Sequence, residues 1–254
     1  MIIAFVPCRL QSKRLPNKAI QDIYGISAIE RCLINTLAIP GIDKVVLATS
    51  TNKVDEKLEK YNLNGQVEIV RGPEDDVLER FMPTINQLKP DHIVRVTGDC
   101  PLVSFELGQE TIKRHIESGC DVTFTISKVA LGTACEIYKT KAILKLKKLI
   151  KITNHSEYLI YYFSNNPEHF SLNKFEAPEQ YIRPWRLTLD ETNDLELLNL
   201  IYKTLNIGKR PVSFYEVITF FERFPETAQI NIGNVVKYRD NKELVEYLKR
   251  ATSI

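Results

Sequence analysis

Four cations, Arg9, Lys13, Arg14 and Lys18, stand within ten residues directly after a short apolar run, Ile2 to Val6. Arginine offers a planar fork for phosphate oxygens and lysine a compact point charge. The run reads as a buried strand, stopped by Pro7, which cannot donate to a sheet ladder. Open α/β sheets bind ligands just past the carboxyl ends of their strands, so the loop reads as a polyphosphate site. A solvated basic loop is the plain alternative; Ser12 and Pro16 punctuating the loop weigh against it. The loop has no glycine before Gly25, so neither the Walker nor the dinucleotide pattern is present.

Two acidic segments could complete such a site. Gly98-Asp99-Cys100-Pro101 follows the apolar stretch Ile93–Thr97. A carboxylate there can hold a hard cation, although spacing by itself favours a plain Gly-Asp turn. A shared metal needs a second carboxylate, and Asp190 in Arg186-Leu-Thr-Leu-Asp190 is the best candidate, with a helix cap as its alternative role. Asp194 is expected in the following first turn, supporting the strand end. In Arg71-Gly-Pro-Glu-Asp-Asp-Val-Leu-Glu-Arg80, Asp76 and Arg80 are four apart and could pair on one helix face. A capped amphipathic helix and a nucleotide-side role for this segment both stand.

These residues carry a resemblance. Arg9-Leu-Gln-Ser-Lys-Arg-Leu-Pro-Asn-Lys18 resembles the Arg-x-x-Ser-x-Arg-Leu-Pro-Gly-Lys opening of the sugar cytidylyltransferases, the group of the acylneuraminate and KDO enzymes. The similarity is greatest to the spore-coat polysaccharide branch. Asn17 replaces the usual glycine and Cys8 the usual alanine; Asn tolerates a left-handed backbone better than most residues. Gly98–Pro101, Arg186–Asp194, Arg71–Arg80 and Gly132–Glu136 match further elements, whereas Tyr158 follows Glu157 where the branch usually has His.

The resemblance implies a three-layer α/β/α, nucleotide-diphospho-sugar transferase-like (Rossmann-like) fold with a mostly parallel mixed sheet. It implies one domain over 1–254, with a small dimerisation and acceptor lobe at about 132–184. It implies transfer from CTP to an acidic sugar, with release of pyrophosphate and Mg²⁺ held by Asp99 and Asp190. Arg9, Lys18, Asp99 and Asp190 become the catalytic set. Pro7, Cys8, Arg9, Ser12, Arg14, Leu15, Lys18, Thr49, Asp75, Asp76 and Gly98 would line the nucleotide. Arg71, Arg80, Glu136, Glu157 and Arg186 would face the acceptor. A sugar-1-phosphate or phosphonate nucleotidyltransferase is one rival, favoured by extra cations such as Arg71, Arg183 or Arg186. A non-catalytic nucleotide-binding protein on the same fold is the other.

The elements that must position these groups alternate. Strands are expected at Ile2–Val6, Lys44–Thr49, Val67–Val70, His92–Thr97 and Val122–Ile126, and helices at Ser27–Leu37, Asn52–Tyr61, Asp76–Leu88 and Ser104–Ser118. That order predicts a mostly parallel sheet covered on both faces. Further on, strands are expected at Thr133–Tyr138, Phe170–Phe175 and Arg186–Leu189. Helices are expected at Lys141–Lys151, Thr153–Phe163, Asn193–Leu205 and Ser213–Phe224. The 254 residues suit one α/β domain, and a net charge of +2 argues against nucleic acid as the main partner. No run of ~18 apolar residues or signal-peptide pattern occurs, so a cytoplasmic protein with no membrane partner is expected. The five cysteines, without Cys-x-x-Cys spacing, predict neither disulfides nor zinc. Aromatic residues between 158 and 185 predict a homodimer contact.

Overall fold

The computed structural model describes residues 1–12, 14–150, 153, 155–235 and 241–254. Lys13 and the junction of the two helices expected around 151–154 lie outside the described residues. Strands β1 (Ile2–Pro7), β4 (Lys44–Ser50), β5 (Val67–Gly72) and β6 (His92–Arg95) pair in parallel. With β7 (Val122–Thr125), β8 (Glu136–Lys139) and β9 (Leu172–Phe175) they form a seven-stranded sheet of order β5-β4-β1-β6-β8-β7-β9. Only β8 runs antiparallel to its neighbours, so the sheet is mixed as well as mostly parallel. A small hairpin, β2 (Asp22–Ile23) with β3 (Ile26–Ser27), follows the opening loop.

Alternation along β1 assigns its residues to two faces. Ala4 and Val6 pack with Ile29, Cys32 and Leu33 of α1 (Ala28–Leu37). Ile3 and Phe5 pack with Leu78, Phe81 and Ile85 of α2 (Val77–Leu88), and with α4 (Thr140–Leu149) and α5 (Leu159–Ser164). A third apolar cluster joins α6 (Thr192–Thr204) and α7 (Phe214–Arg223) to Leu187 and Leu189. Helix α3 (Phe105–Ser118) begins at Ser104, whose hydroxyl accepts the Leu107 N–H, and ends on Gly119.

Some expected elements differ. The helix expected over 52–61 is a 3-10 turn, Lys53–Leu58, in which Asp55 is buried. The strand expected at 133–138 is β8, Glu136–Lys139, and that expected at 186–189 reduces to one bridge, Leu131 with Arg186. The C-terminal helix α8 (Lys242–Ala251) was not anticipated; it buries Leu248 and docks through Asn165 and Asn166 on Thr252. Residues 132–184 place β8 inside the sheet and α4 and α5 on its face. Tyr162, Phe163, Phe170, Phe175 and Tyr181 are buried within the chain, whereas Tyr158, Tyr161 and Trp185 stay partly exposed.

A histidine pair ties α3 to the sheet: His92 Nδ1 lies 3.0 Å from His115 Nε2, and His115 Nδ1 lies 2.9 Å from the Thr123 hydroxyl. Burial, then neighbouring His92 and Lys139, push His115 down to about 4, with Asp121 a smaller opposing influence. The unfolded chain therefore binds this proton first, near an ordinary value of about 6.5. Stability should fall as pH drops from about 6.5 to about 4 and then level off, by about 3 kcal/mol for this group. Urea unfolding across that range should show a shallower loss in His115→Gln. Parallel curves would remove His115 from the acid response.

Candidate active site

Three chain segments meet at the carboxyl end of β1. Cys8 N–H donates to the Ala48 carbonyl (3.0 Å) and Gly98 N–H to that of Pro7 (3.2 Å). These bonds set the opening loop beside the turn after β6. A Cβ on Gly98 would lie 2.8 Å from that of Cys8 and 3.0 Å from the Pro7 carbonyl oxygen, so the glycine permits this close packing. Leu189 N–H donates to the carbonyl of Asp99 itself (2.8 Å), and Leu187 N–H to that of Leu131 (2.7 Å). Gly132, at φ +94, lets the 187–188 backbone come that close: a Cβ there would lie 2.8 Å from Thr188 N. Asp190 is thereby delivered next to Asp99.

Asn17 adopts the left-handed conformation (φ 54) expected for the position where the resembled motif has glycine, and the 3-10 turn Lys18–Ile20 follows. Lys18 Nζ lies 2.7 Å from Asp99 Oδ2 and 2.7 Å from Asp190 Oδ1. The two carboxylates are thus at most twice that distance apart. Arg14 reaches the same Asp190 oxygen at 2.9 Å and Glu191 at 3.2 Å. Burial pulls the Lys18 pKa down, but Asp99 and Asp190 outweigh it and the value is raised, so the ammonium stays charged. Burial pushes Asp99 up, and Lys18 more than reverses that, leaving it below the usual carboxylate range. Two facing carboxylates fit a hard dication, which commonly takes one or two carboxylates plus phosphate oxygens and water. Among the described residues no group of three or more His, Cys, Asp or Glu could hold a metal, so phosphate and water would supply the other ligands.

Arg9 belongs to a second cluster. Its guanidinium lies 3.5 Å from Glu74, 3.9 Å from the exposed Asp75 and 3.5 Å from Glu157. Arg95, at the end of β6, binds the Glu136 carboxylate (3.2 Å) and the Glu157 carbonyl (2.6 Å). Glu136 also accepts the Tyr138 hydroxyl at 2.6 Å. The acceptor candidates Glu136 and Glu157 are therefore joined through Arg95. Sequence reading assigned Arg95 no role, although a cation closing an apolar strand was a visible signal. Arg14 and Lys18 thus share Asp190, whereas Arg9 faces Glu74, Asp75 and Glu157.

Several expected site residues serve the scaffold. Arg71 is clamped by the Ser50 and Asn52 carbonyls and by Glu59 (3.0, 3.0 and 2.8 Å). Arg80 is buried and donates to the carbonyls of Pro73 and Glu74. Asp76 caps α2 through Glu79 N–H and accepts the hydroxyls of Thr153 and Ser156, so it does not pair with Arg80. Arg186 is buried on Asp194 (2.8 Å) and Asp190 (2.8 Å), holding the carboxylates in place. Asp194 also accepts the backbone N–H of Asp190 and Glu191, the strand-end support expected of it; Glu191 caps α6. Leu15 and Cys8 are core residues, and burial pushes the Cys8 thiol up to about 12. Thr49 is buried with no hydrogen-bond partner for its hydroxyl, and Pro7 and Ser12 are half-buried. Asp55, to which the sequence reading gave no role, accepts Leu10 N–H (2.7 Å) and the Ser50 hydroxyl, anchoring the opening loop.

A mixed, mostly parallel sheet with cations and paired carboxylates at its carboxyl end defines an α/β nucleotide-binding class. The cytidylyltransferase family profile matches residues 3–207, and the chain belongs to this family of nucleotidyltransferases. The spore coat polysaccharide biosynthesis protein SpsF of Bacillus subtilis is 30% identical over 235 residues, 89% of this chain and 96% of that one. A solved cytidylyltransferase from Leptospira borgpetersenii superposes with TM-score 0.79 at 22% identity, covering 92% of this chain and 97% of its own. A CMP:2-keto-3-deoxy-manno-octonic acid synthetase complexed with CTP has the same fold, with TM-score 0.59, 15% identity and coverage of 80% and 98%. No described helix is long and apolar enough to cross a membrane.

Proposed function

We propose that this protein activates a small acidic sugar by in-line attack of an acceptor oxygen on the α-phosphorus of CTP, giving a CMP-sugar and pyrophosphate. The observation that carries the reading is the Lys18 ammonium bridging Asp99 and Asp190, with Arg14 on the same oxygen. Arg14 and Lys18 bind the outer phosphates and stabilise the departing pyrophosphate, while Arg9 acts from the neighbouring wall. Asp99 and Asp190 would hold Mg²⁺, which when bound would supply charge neutralisation and lower the pKa of the acceptor oxygen. Positioning and neutralisation suffice for this chemistry, so no covalent intermediate is required. The acceptor enters beside Glu136, Arg95 and Glu157. The choice of an acidic sugar follows from the resemblance and from what the synthetase relative is named for.

A phosphate-bearing acceptor would call for free cations. Arg71 and Arg186 are committed as described, and Arg183 donates to the carbonyls of Glu179 and Ile182. This favours a hydroxyl or acidic oxygen as the nucleophile. Pyrophosphate release from a panel of nucleoside triphosphates and acidic sugars tests the reading; the absence of CTP-dependent release with every sugar would remove it.

Arg14→Ala should weaken CTP far more than CMP, by about 1.5–3 kcal/mol for a charge-assisted contact. Calorimetric titration of both nucleotides checks this, and equal losses would take Arg14 off the triphosphate tail. A homodimer with cytoplasmic location completes the proposal on the resemblance alone. Light scattering showing a single species at 29.2 kDa would exclude the dimer.

A further inference from the structure

Turn 231–235 lies downstream of the family match and returns to the active site after α7 and the 3-10 turn Pro225–Gln229. Asn231 is buried, and its amide donates to Asp194 Oδ1 (2.9 Å) and to the Arg186 carbonyl (3.0 Å). The half-buried Asn234 donates to the same Asp194 oxygen (2.9 Å). Asn234 is itself held by a reciprocal amide pair with Asn193, at 2.6 and 2.8 Å. At the end of the turn the Val235 carbonyl accepts from Arg14 Nη1 at 3.4 Å.

Capping of α6 does not account for these contacts. The backbone N–H groups of Asp190 and Glu191 use Asp194 Oδ2, at 2.9 and 3.0 Å. The two asparagines act on Oδ1, the oxygen that also receives Arg186 Nε at 2.8 Å. Donors on both oxygens fix the plane of the carboxylate. That plane orients the Asp190 backbone through Oδ2 and the Asp190 side chain through Arg186, which donates to it at 2.8 Å. The same turn reaches Arg14, the guanidinium that shares Asp190 with Lys18.

We propose that turn 231–235 is a positioning element of the nucleotide site: Asn231 and Asn234 set Asp190 through Asp194, and the Val235 carbonyl holds Arg14 in line with it. The proposal rests on the nucleotidyl-transfer reading above. It extends the functional unit past the matched region and makes the turn a determinant of how strongly the outer phosphates are bound.

The test is calorimetric titration of the intact chain with CTP and with CMP, both with Mg²⁺, for Asn231→Ala and Asn234→Ala. A loosened Asp190–Arg14 arrangement should raise the Kd for CTP roughly five- to tenfold and leave that for CMP within about twofold, the scale of one ordinary hydrogen bond lost. Ile201→Val, inside the α6 core, controls for lost stability and should change neither nucleotide. Asn234 is only half-buried, so its variant keeps the test available should Asn231→Ala fail to fold. Unchanged CTP binding in folded Asn234→Ala, or equal losses for CTP and CMP, would overturn the proposal. Should Arg14→Ala discriminate the nucleotides while the asparagine variants do not, only the turn is excluded. Should wild-type protein bind neither nucleotide, the functional reading falls and takes the turn's role with it.

Discussion

Asp99→Asn should keep the protein folded and lower turnover by at least about a hundredfold, the scale seen when one pre-organised electrostatic partner is removed from a reaction centre. The substitution preserves shape and takes away one charge. Lys18 keeps Asp190 as a partner at 2.7 Å, and Leu189 still donates to the residue 99 carbonyl, so the loop geometry survives. What goes is half of the paired carboxylate set that, in the proposed reaction, would hold a dication against the phosphate charge. Steady-state pyrophosphate release with saturating CTP, alongside a thermal melt, separates the two effects. A near-normal rate would show that Asp99 is a turn residue, the plain reading of Gly98-Asp99.

Asp194→Ala should cost the fold about 3–5 kcal/mol, as breaking a buried ion pair does when its partner stays behind. Asp194 is fully buried, and it receives Arg186, two asparagine amides and two backbone N–H groups. Burial pulls the Arg186 pKa down, and bonds to Asp194 and Asp190 reverse this, so removing Asp194 strands much of a buried charge. Asp194→Asn, which can keep acceptor geometry on one oxygen, should lose less. Equilibrium urea unfolding measures both, and a loss below about 1 kcal/mol for the alanine variant would show that the network contributes little net stability.

Local chemistry was legible where function depends on residue type next to a strand end. The opening loop could be read because an apolar run stops at Pro7 and cations follow at once. Asn17 could be read because few side chains tolerate a positive φ. The pairing of Asp99 with Asp190 was an expectation of chemistry, since one carboxylate makes a poor metal site. Arg71, Arg80 and Arg186 could not be placed from their motifs, because a guanidinium looks alike whether it meets a ligand or a carbonyl. Arg80 ends under the 73–74 backbone and Arg186 beneath Asp194, destinations no spacing rule contains.

The sequence by itself determined the alternation of strands and helices, the two-faced core of β1 and the identity of the cations and acids at the sheet's carboxyl end. Periodicity and residue chemistry are local properties, and each is written in a window of a few residues. Only the tertiary structure decided that β8 enters the sheet antiparallel, that Leu189 bonds to Asp99 and so places Asp190, and that Asn231 and Asn234 brace Asp194. Those facts depend on which distant segments share one packed surface. A buried polar atom takes whichever partner the fold brings within about 3 Å, because leaving it unpaired costs more than any local preference.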